Sequence, residues 1–409
     1  MDLYLETFGA VLLKGPRWCG KTTTAMNHAK SVIKMQSVGK SQENLAAARS
    51  QPSMILRGEK PRLIDEWQVV PSIWDAIRTD VDETGRAGSY ILTGSRDLFG
   101  EGYMHSGAGR IGVLFMRTMS LFESGDSNGS VSLGGMFSGS GDSGWKPSPL
   151  SMDDIAYCLC RGGWPDNMGL DYRRCALKIR SYMDLTYASD DVSLGKYIKD
   201  SSAARDIVRS YSRNISSTAS MKTILDDVLK EDISMPESRF YDYVGALKGA
   251  YIIDDVPAWN PSVRSRTAMR ASPKRDLADP SIAALYLGVT PDSFAGDLKT
   301  FGLLFESMCL RDLKVYAQGL GGKMSYYRDR YGLEADAVIT LDDGRYGLVE
   351  VKLWEDGVRE GADNLLALEG LLRDAGFRPP SFKMVVTAGG IAYSRPDGVS
   401  VVPIGCLRN

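Results

Sequence analysis

Histidine is almost missing from this chain, which has only His28 and His105, and its six cysteines show no paired C-x-x-C spacing. A structural zinc site takes four closely spaced nitrogen or sulfur ligands, so that class of fold is excluded. Cys19, Cys158, Cys160, Cys175, Cys309 and Cys406 also form no disulfide framework, and they fit a reducing compartment. Long apolar runs are absent too, so no bilayer-spanning helix is expected. The opening MDLYLETFGA carries acid where a signal peptide carries base. Neither charge sign dominates. Lys and Arg total 49 against 51 Asp and Glu, a formal net charge of −2. Any surface that faces nucleic acid must therefore be local. The expectation is a cytoplasmic protein with no membrane contact.

What remains is ordinary globular material, 43% hydrophobic and 24% charged over 409 residues. One hydrophobic core rarely serves that length, so two or three domains are expected. The most specific signal lies near the start. Ala10 to Lys14 reads as a short buried strand, GPRWCGKT follows from Gly15 to Thr22, and a helix is expected to about Ile33. In the pattern G-x-x-x-x-G-K-[ST], glycines let consecutive backbone N–H groups curl around phosphate oxygens at a helix N-terminus. Gly15, Pro16, Arg17, Trp18, Cys19, Gly20, Lys21, Thr22 and Thr23 are thus the expected ATP-binding set. Lys21 reaches the β- and γ-phosphates and Thr22 holds Mg²⁺.

LIDE, ending at Glu66, follows Lys21 by one strand–helix–strand excursion, with Asp65 placed 44 positions after Lys21. An aspartate at a buried strand end suits magnesium, and the glutamate after it suits polarisation of the attacking water. TGS (Thr93 to Ser95) ends the next strand, and Ser95 is a candidate γ-phosphate contact or merely a turn residue. Arg110, in GAGRI, is a candidate arginine finger, in cis or from a neighbouring copy in a homo-oligomer. Its plainer reading is a surface arginine.

Beyond the fourth strand (Gly112 to Met116), residues 124–150 turn rich in Gly and Ser, read as a linker or a loosely ordered insertion. Met152 to Tyr197 is helical by period around the turn RGGWPD. Three short helices are expected over Ser201 to Gly249, and a hairpin over Tyr251 to Arg275. That hairpin carries Arg264, Arg266, Arg270, Lys274 and Arg275 without an acid from Val256 onward. Beside an amphipathic helix it suits DNA phosphates, or else it packs on a neighbour. From Thr300 the pattern is helix, three strands, helix, strand. Glu306 falls on the helix, Asp336 on a strand, and Glu350 and Lys352 share one face of the next, joined by the turn LDDGR.

GPRWCGKTTTA, PRLIDEWQVVPSIWD, YILTGS and GAGRI, in that order, resemble the AAA+ ATPases of bacteria and archaea that carry a C-terminal domain of unknown function. The likeness continues through RGGWPD, KGAYIIDDVPAW, LADPSIAALYLG, FGLLFESMCLRDL, YYRD and EADAVI…VEVKL. The resemblance implies an α/β protein with an AAA+ core (1–123), the Gly/Ser segment (124–150) and a helical lid (151–199). A winged-helix domain (200–290) and a PD-(D/E)XK nuclease-like domain (291–409) follow. In that nuclease pattern Asp336 and Glu350 would be metal ligands, Lys352 the catalytic lysine and Glu306 an auxiliary acid. The expected protein hydrolyses ATP with Mg²⁺, and its nucleotide state governs contacts of the tail with DNA or a protein partner. The alternative is a nucleotide-gated binding module whose nuclease fold is inactive.

Overall fold

The computed structural model describes residues 1–36, 41–94, 106–140, 146–188, 200–230, 235–260, 272–293 and 296–409. The chain forms two compact units, Met1–Arg117 with Gly249–Tyr251, and Thr118–Lys248 with Ile252–Asn409. Among the described residues no helix is long and apolar enough to cross a membrane.

The first unit is a parallel five-stranded sheet in the order β2-β3-β4-β1-β5. Its strands are β1 (Ala10–Lys14), β2 (Ser31–Lys34), β3 (Arg62–Asp65), β4 (Tyr90–Thr93) and β5 (Ile111–Phe115). A central parallel strand is covered on both faces and reads as a continuous apolar run, as AVLLK and YILT do. Successive β1 side chains serve opposite layers. Ala10 and Leu12 pack with Ile64, Leu92, Ile73, Trp74 and Ile77. Val11 and Leu13 pack with Ala25, Leu63 and Ile91. The helices are α1 (Asp2–Thr7), α2 (Lys21–His28), α3 (Ser41–Ser50) and α4 (Ser72–Thr84). Helix α4 buries Ile73, Trp74, Ile77 and Val81 along one stripe and stops at Gly85, whose φ of 61° is the left-handed cap.

The second unit holds a mixed seven-stranded sheet in the order β7-β12-β13-β11-β10-β9-β8. Strands β8 (Gly322–Arg328), β9 (Glu334–Leu341) and β10 (Tyr346–Lys352) run antiparallel. The chain then crosses over through a helix, Val358–Asp374, so that β11 (Phe382–Thr387) lies parallel to β10. Strands β12 (Ile391–Ser394) and β13 (Val399–Pro403) complete the order. Three helices precede the sheet as expected, at Ser201–Arg213, Met221–Leu229 and Glu237–Gly249. The longest helix among the described residues, Leu298–Gly319, packs against β8 and β9 and carries Glu306.

The Gly/Ser segment, read as a linker or a loosely ordered insertion, carries paired strands and a packed helix. Val131–Ser132 (β6) pairs with Leu407–Arg408 (β14), and Lys146–Pro147 (β7) pairs with β12. Between them a short helix, Leu133–Ser138, buries Leu133, Met136 and Phe137, and Phe137 meets Phe382 edge-on at 5.0 Å. Four apolar side chains among many glycines and serines are enough to fix the segment on the C-terminal sheet. A boundary drawn by composition therefore cuts through one folded unit.

Candidate nucleotide site

The nucleotide loop forms where β1 ends and α2 begins. Gly15 has φ 145°, and a Cβ there would come within 2.0 Å of the Met116 carbonyl, so only glycine fits. Gly20, at φ 96°, is the cap from which α2 starts. Lys21 is buried, and its Nζ donates to the carbonyls of Gly15 at 2.9 Å and Pro16 at 2.6 Å. Burial pulls its pKa below the usual lysine value, against the pull of Cys19, Glu66 and Asp65. Cys19 is 2% exposed, and burial pushes its thiol up, so the residue is a packed wall of the loop rather than a reactive group. Arg17 and Trp18 are half-buried on the loop, and Thr23 is exposed on the first turn of α2.

The acids arrive from β3. Strand β4 lies between β1 and β3, and its last residue completes a three-residue cluster. Asp65 Oδ1 accepts from the Thr22 hydroxyl at 2.9 Å and from the Thr93 hydroxyl at 2.6 Å. A hydroxyl and a carboxylate side by side, near Lys21, are a donor set suited to a hard cation such as Mg²⁺. Glu66 follows with φ 58°, an unfavourable region for a residue with a side chain. Its N–H donates to the Thr93 carbonyl at 2.9 Å, and the Gln68 amide donates to its Oε2. The turn thus aims the Glu66 carboxylate, with Gln68 holding it.

Thr93 and Gln68 hold Asp65 and Glu66 by hydrogen bonds, and the sequence did not single out either for that place. TGS drew notice for a phosphate contact at Ser95, which lies outside the described residues, whereas Thr93 is the hydroxyl that meets Asp65. No pattern marked Gln68. Arg110 calls for a correction. Parallel pairing sets Ala10 beside Ile111 and Lys14 beside Phe115, so Arg110 stands at the strand-start edge of the sheet. Lys14, where the loop begins, is five residue steps from the level of Arg110, roughly 17 Å. There Arg110 pairs with Asp82 at 2.6 Å, which holds the Asp82 carboxyl below its ordinary range. A cis arginine finger is therefore ruled out by strand direction.

In the second unit the expected nuclease residues do come together. The register that sets Val349 opposite Ala337 brings Glu350 to Asp336. Lys352 lies 3.4 Å from Glu350 and 3.3 Å from Glu360. A further group joins them. Lys274 Nζ is 2.5 Å from Glu306 Oε1 and 2.9 Å from Asp336 Oδ1, and Asp336 Oδ2 accepts the Val351 N–H at 2.9 Å. Burial first, then repulsion from Asp336, pushes Glu306 and Glu350 up to about 8. Burial opposes the Lys274 charge, but Asp336 and Glu306 raise its pKa above the usual lysine value.

Two expectations fall here. Among the described residues, no group of three or more His, Cys, Asp or Glu side chains is disposed to hold a metal, and an ammonium is bonded both to Asp336, an expected ligand, and to Glu306, the expected auxiliary acid. The metal roles of Asp336 and Glu350 do not fit this arrangement. Lys274 and Arg275 do not face DNA either. They are 6% and 2% exposed, and Arg275 is tied to Asp255 at 3.0 Å and to the Ala219 carbonyl. Arg264, Arg266 and Arg270 lie outside the described residues.

Residues 7–124 match the model of an AAA domain. Residues 152–293 and 301–407 match two domains of unknown function, DUF8612 and DUF4143. No curated protein matches the chain. Among solved structures, the Walker-type ATPase paby2304 of Pyrococcus abyssi is similar at 15% identity and a TM-score of 0.41, over 70% of this chain and 93% of that one. By these matches the chain joins an AAA domain, which supports ATPase activity, to two domains of unknown function.

Proposed function

We propose that the first unit binds and hydrolyses Mg²⁺-ATP, and that nucleotide state governs contacts of the second unit with DNA or a protein partner. The cluster of Thr22, Asp65 and Thr93 beside Lys21 carries this reading. The loop N–H groups and the start of α2 receive the phosphates. Lys21 exchanges two neutral carbonyl partners for phosphate oxygens, which costs little because each such bond is worth only about 1 kcal/mol net. Thr22 and Asp65 would hold the Mg²⁺, which supplies neutralisation of charge on the phosphates. Thr93 keeps the Asp65 carboxylate in place. Glu66 takes the proton from the attacking water, aimed by its turn and by Gln68.

Replacing Glu66 by Gln keeps the shape and removes the base. ATP binding by calorimetry stays near wild type, and phosphate release falls by about a hundredfold or more. Release at the wild-type rate would move the base to another residue. Arg110, if it acts on nucleotide, does so from a neighbouring copy.

In the second unit, the three helices that end at Gly249, with the paired segments after them, are the winged-helix element of this reading. The mixed sheet is its nuclease-like element. The basic run of Arg264, Arg266 and Arg270 is the proposed DNA contact. Neutralising all three flattens the salt dependence of DNA binding, since each lost phosphate contact releases fewer counterions. An unchanged slope assigns the contact to another surface or to a protein partner.

A further inference from the structure

Among the acids of the second unit a cation side chain, Lys274, is bonded to two at once. Asp336, on β9, neighbours both Glu306, on the helix Leu298–Gly319, and Glu350, on β10. Lys274 is brought to them from 32 and 62 residues upstream, from the DUF8612-matched part of the chain. Its backbone is fixed by a reciprocal pair of hydrogen bonds with Val256, each 2.9 Å. Its ammonium lies 5.7 Å from the centre of the Tyr326 ring. A side chain with this many constraints has one place to put its charge.

We propose that Lys274 is the resident cation of this cluster, occupying the position that a divalent metal would need between Glu306 and Asp336, so that the nuclease-like domain is locked in a metal-free, non-cleaving form. Three features exclude sharing. The ammonium nitrogen is 2.5 and 2.9 Å from the two carboxylates, and a divalent cation needs those oxygens at about 2.1 to 2.6 Å. Two cations cannot occupy that gap. The second oxygen of Asp336 is already committed to the Val351 N–H. Glu350 offers one oxygen to Lys352 and Asn364, and its Oε2 is buried with no hydrogen-bond partner. Both Asp336 oxygens are therefore engaged, and Glu350 Oε2 is the buried acid oxygen left without a hydrogen bond. Removing the lysine charge then turns a closed ion-pair cluster into an open acid site.

Metal binding to the full-length chain provides the test, with Mn²⁺ as the probe and Asp336→Asn as the reference that separates this site from the P-loop. In the wild type, the Mn²⁺ signal by electron paramagnetic resonance and the Mn²⁺-induced thermal shift are the same with and without Asp336→Asn. In Lys274→Met, melting in EDTA drops, and Mn²⁺ raises it again by several degrees in a manner abolished by adding Asp336→Asn. Lys274→Arg keeps a cation in place and gains no Mn²⁺ response. If Lys274→Met does not fold, Lys274→Gln, with a side chain that can donate to the acids, replaces it. The wild-type comparison stands without either variant. An Asp336-dependent Mn²⁺ signal in the wild type overturns the proposal. So does a folded neutral variant at position 274 whose Mn²⁺ response is unchanged by adding Asp336→Asn.

Discussion

Two buried lysines, Lys21 and Lys274, face acids in the two units, and their partners set them apart. Lys21 is bonded to two neutral backbone carbonyls, with Asp65 held by hydroxyls rather than by the lysine. Lys274 is bonded to two carboxylates. Exchanging a carbonyl for a phosphate oxygen replaces a weak neutral bond by a charge-assisted one, which is favourable. Taking the ammonium from a buried ion pair leaves uncompensated charge, which costs about 3 to 5 kcal/mol. The first lysine is therefore poised for a ligand and the second is already satisfied. The same contrast holds more widely in the second unit. Arg311 sits between Asp279 and Asp312, and Lys314 between Asp254 and Asp276, all closed within the fold.

The largest effect expected from this difference is on stability. Lys274→Ala should lower the unfolding free energy by about 3 to 5 kcal/mol in denaturant melts, because Glu306 and Asp336 lose their shared cation. Lys21→Ala should leave stability nearly unchanged and weaken ATP binding at least tenfold, about 1.4 kcal/mol. A large stability loss at Lys21, or a small one at Lys274, would erase the distinction between them.

How far the two sites could be read in the sequence follows from how local each is. The phosphate loop is one contiguous stretch, and its requirements for glycine, lysine and threonine are met within it, so it was legible outright. Thr93 was harder, because nothing in the sequence says that β4 lies between β1 and β3. The cis placement of Arg110 was out of reach for the complementary reason. Its position depends on which edge of the sheet a parallel strand starts from. In the tail, Asp336 and Glu350 were readable as facing residues on adjacent strands. Lys274 was not, since its partners are far away in sequence and its neighbours Arg264, Arg266 and Arg270 made it look like surface base. The Gly/Ser segment misled by composition. Val131, Leu133, Met136 and Phe137 carry its packing and are diluted among residues that carry none.

Smaller effects sharpen the comparison. Thr93→Val removes one of the two hydroxyls on Asp65 and should cost about 1 kcal/mol, read as a several-fold loss in ATP turnover with binding largely kept. Turnover equal to wild type would reduce Thr93 to packing. The acid cluster should also give the second unit a distinctive pH response. Glu350 is raised in the folded chain to about 8, so its contribution is fully present below the unfolded value and is lost as pH rises through about 8. Melting should therefore fall between about pH 5 and pH 9, and Glu350→Gln should flatten part of that slope. An identical slope in the variant would mean that Glu350 is charged throughout.

The most direct single measurement runs both chemistries on one preparation of the full-length chain, with ATP, Mg²⁺, Mn²⁺ and a mixed single- and double-stranded DNA substrate. Phosphate release should occur and fall by about a hundredfold or more in Glu66→Gln, while the DNA stays intact in both samples. Absence of phosphate release, or DNA cleavage that disappears in Asp336→Asn, would contradict the assignment of an open ATP site in one unit and a closed acid cluster in the other.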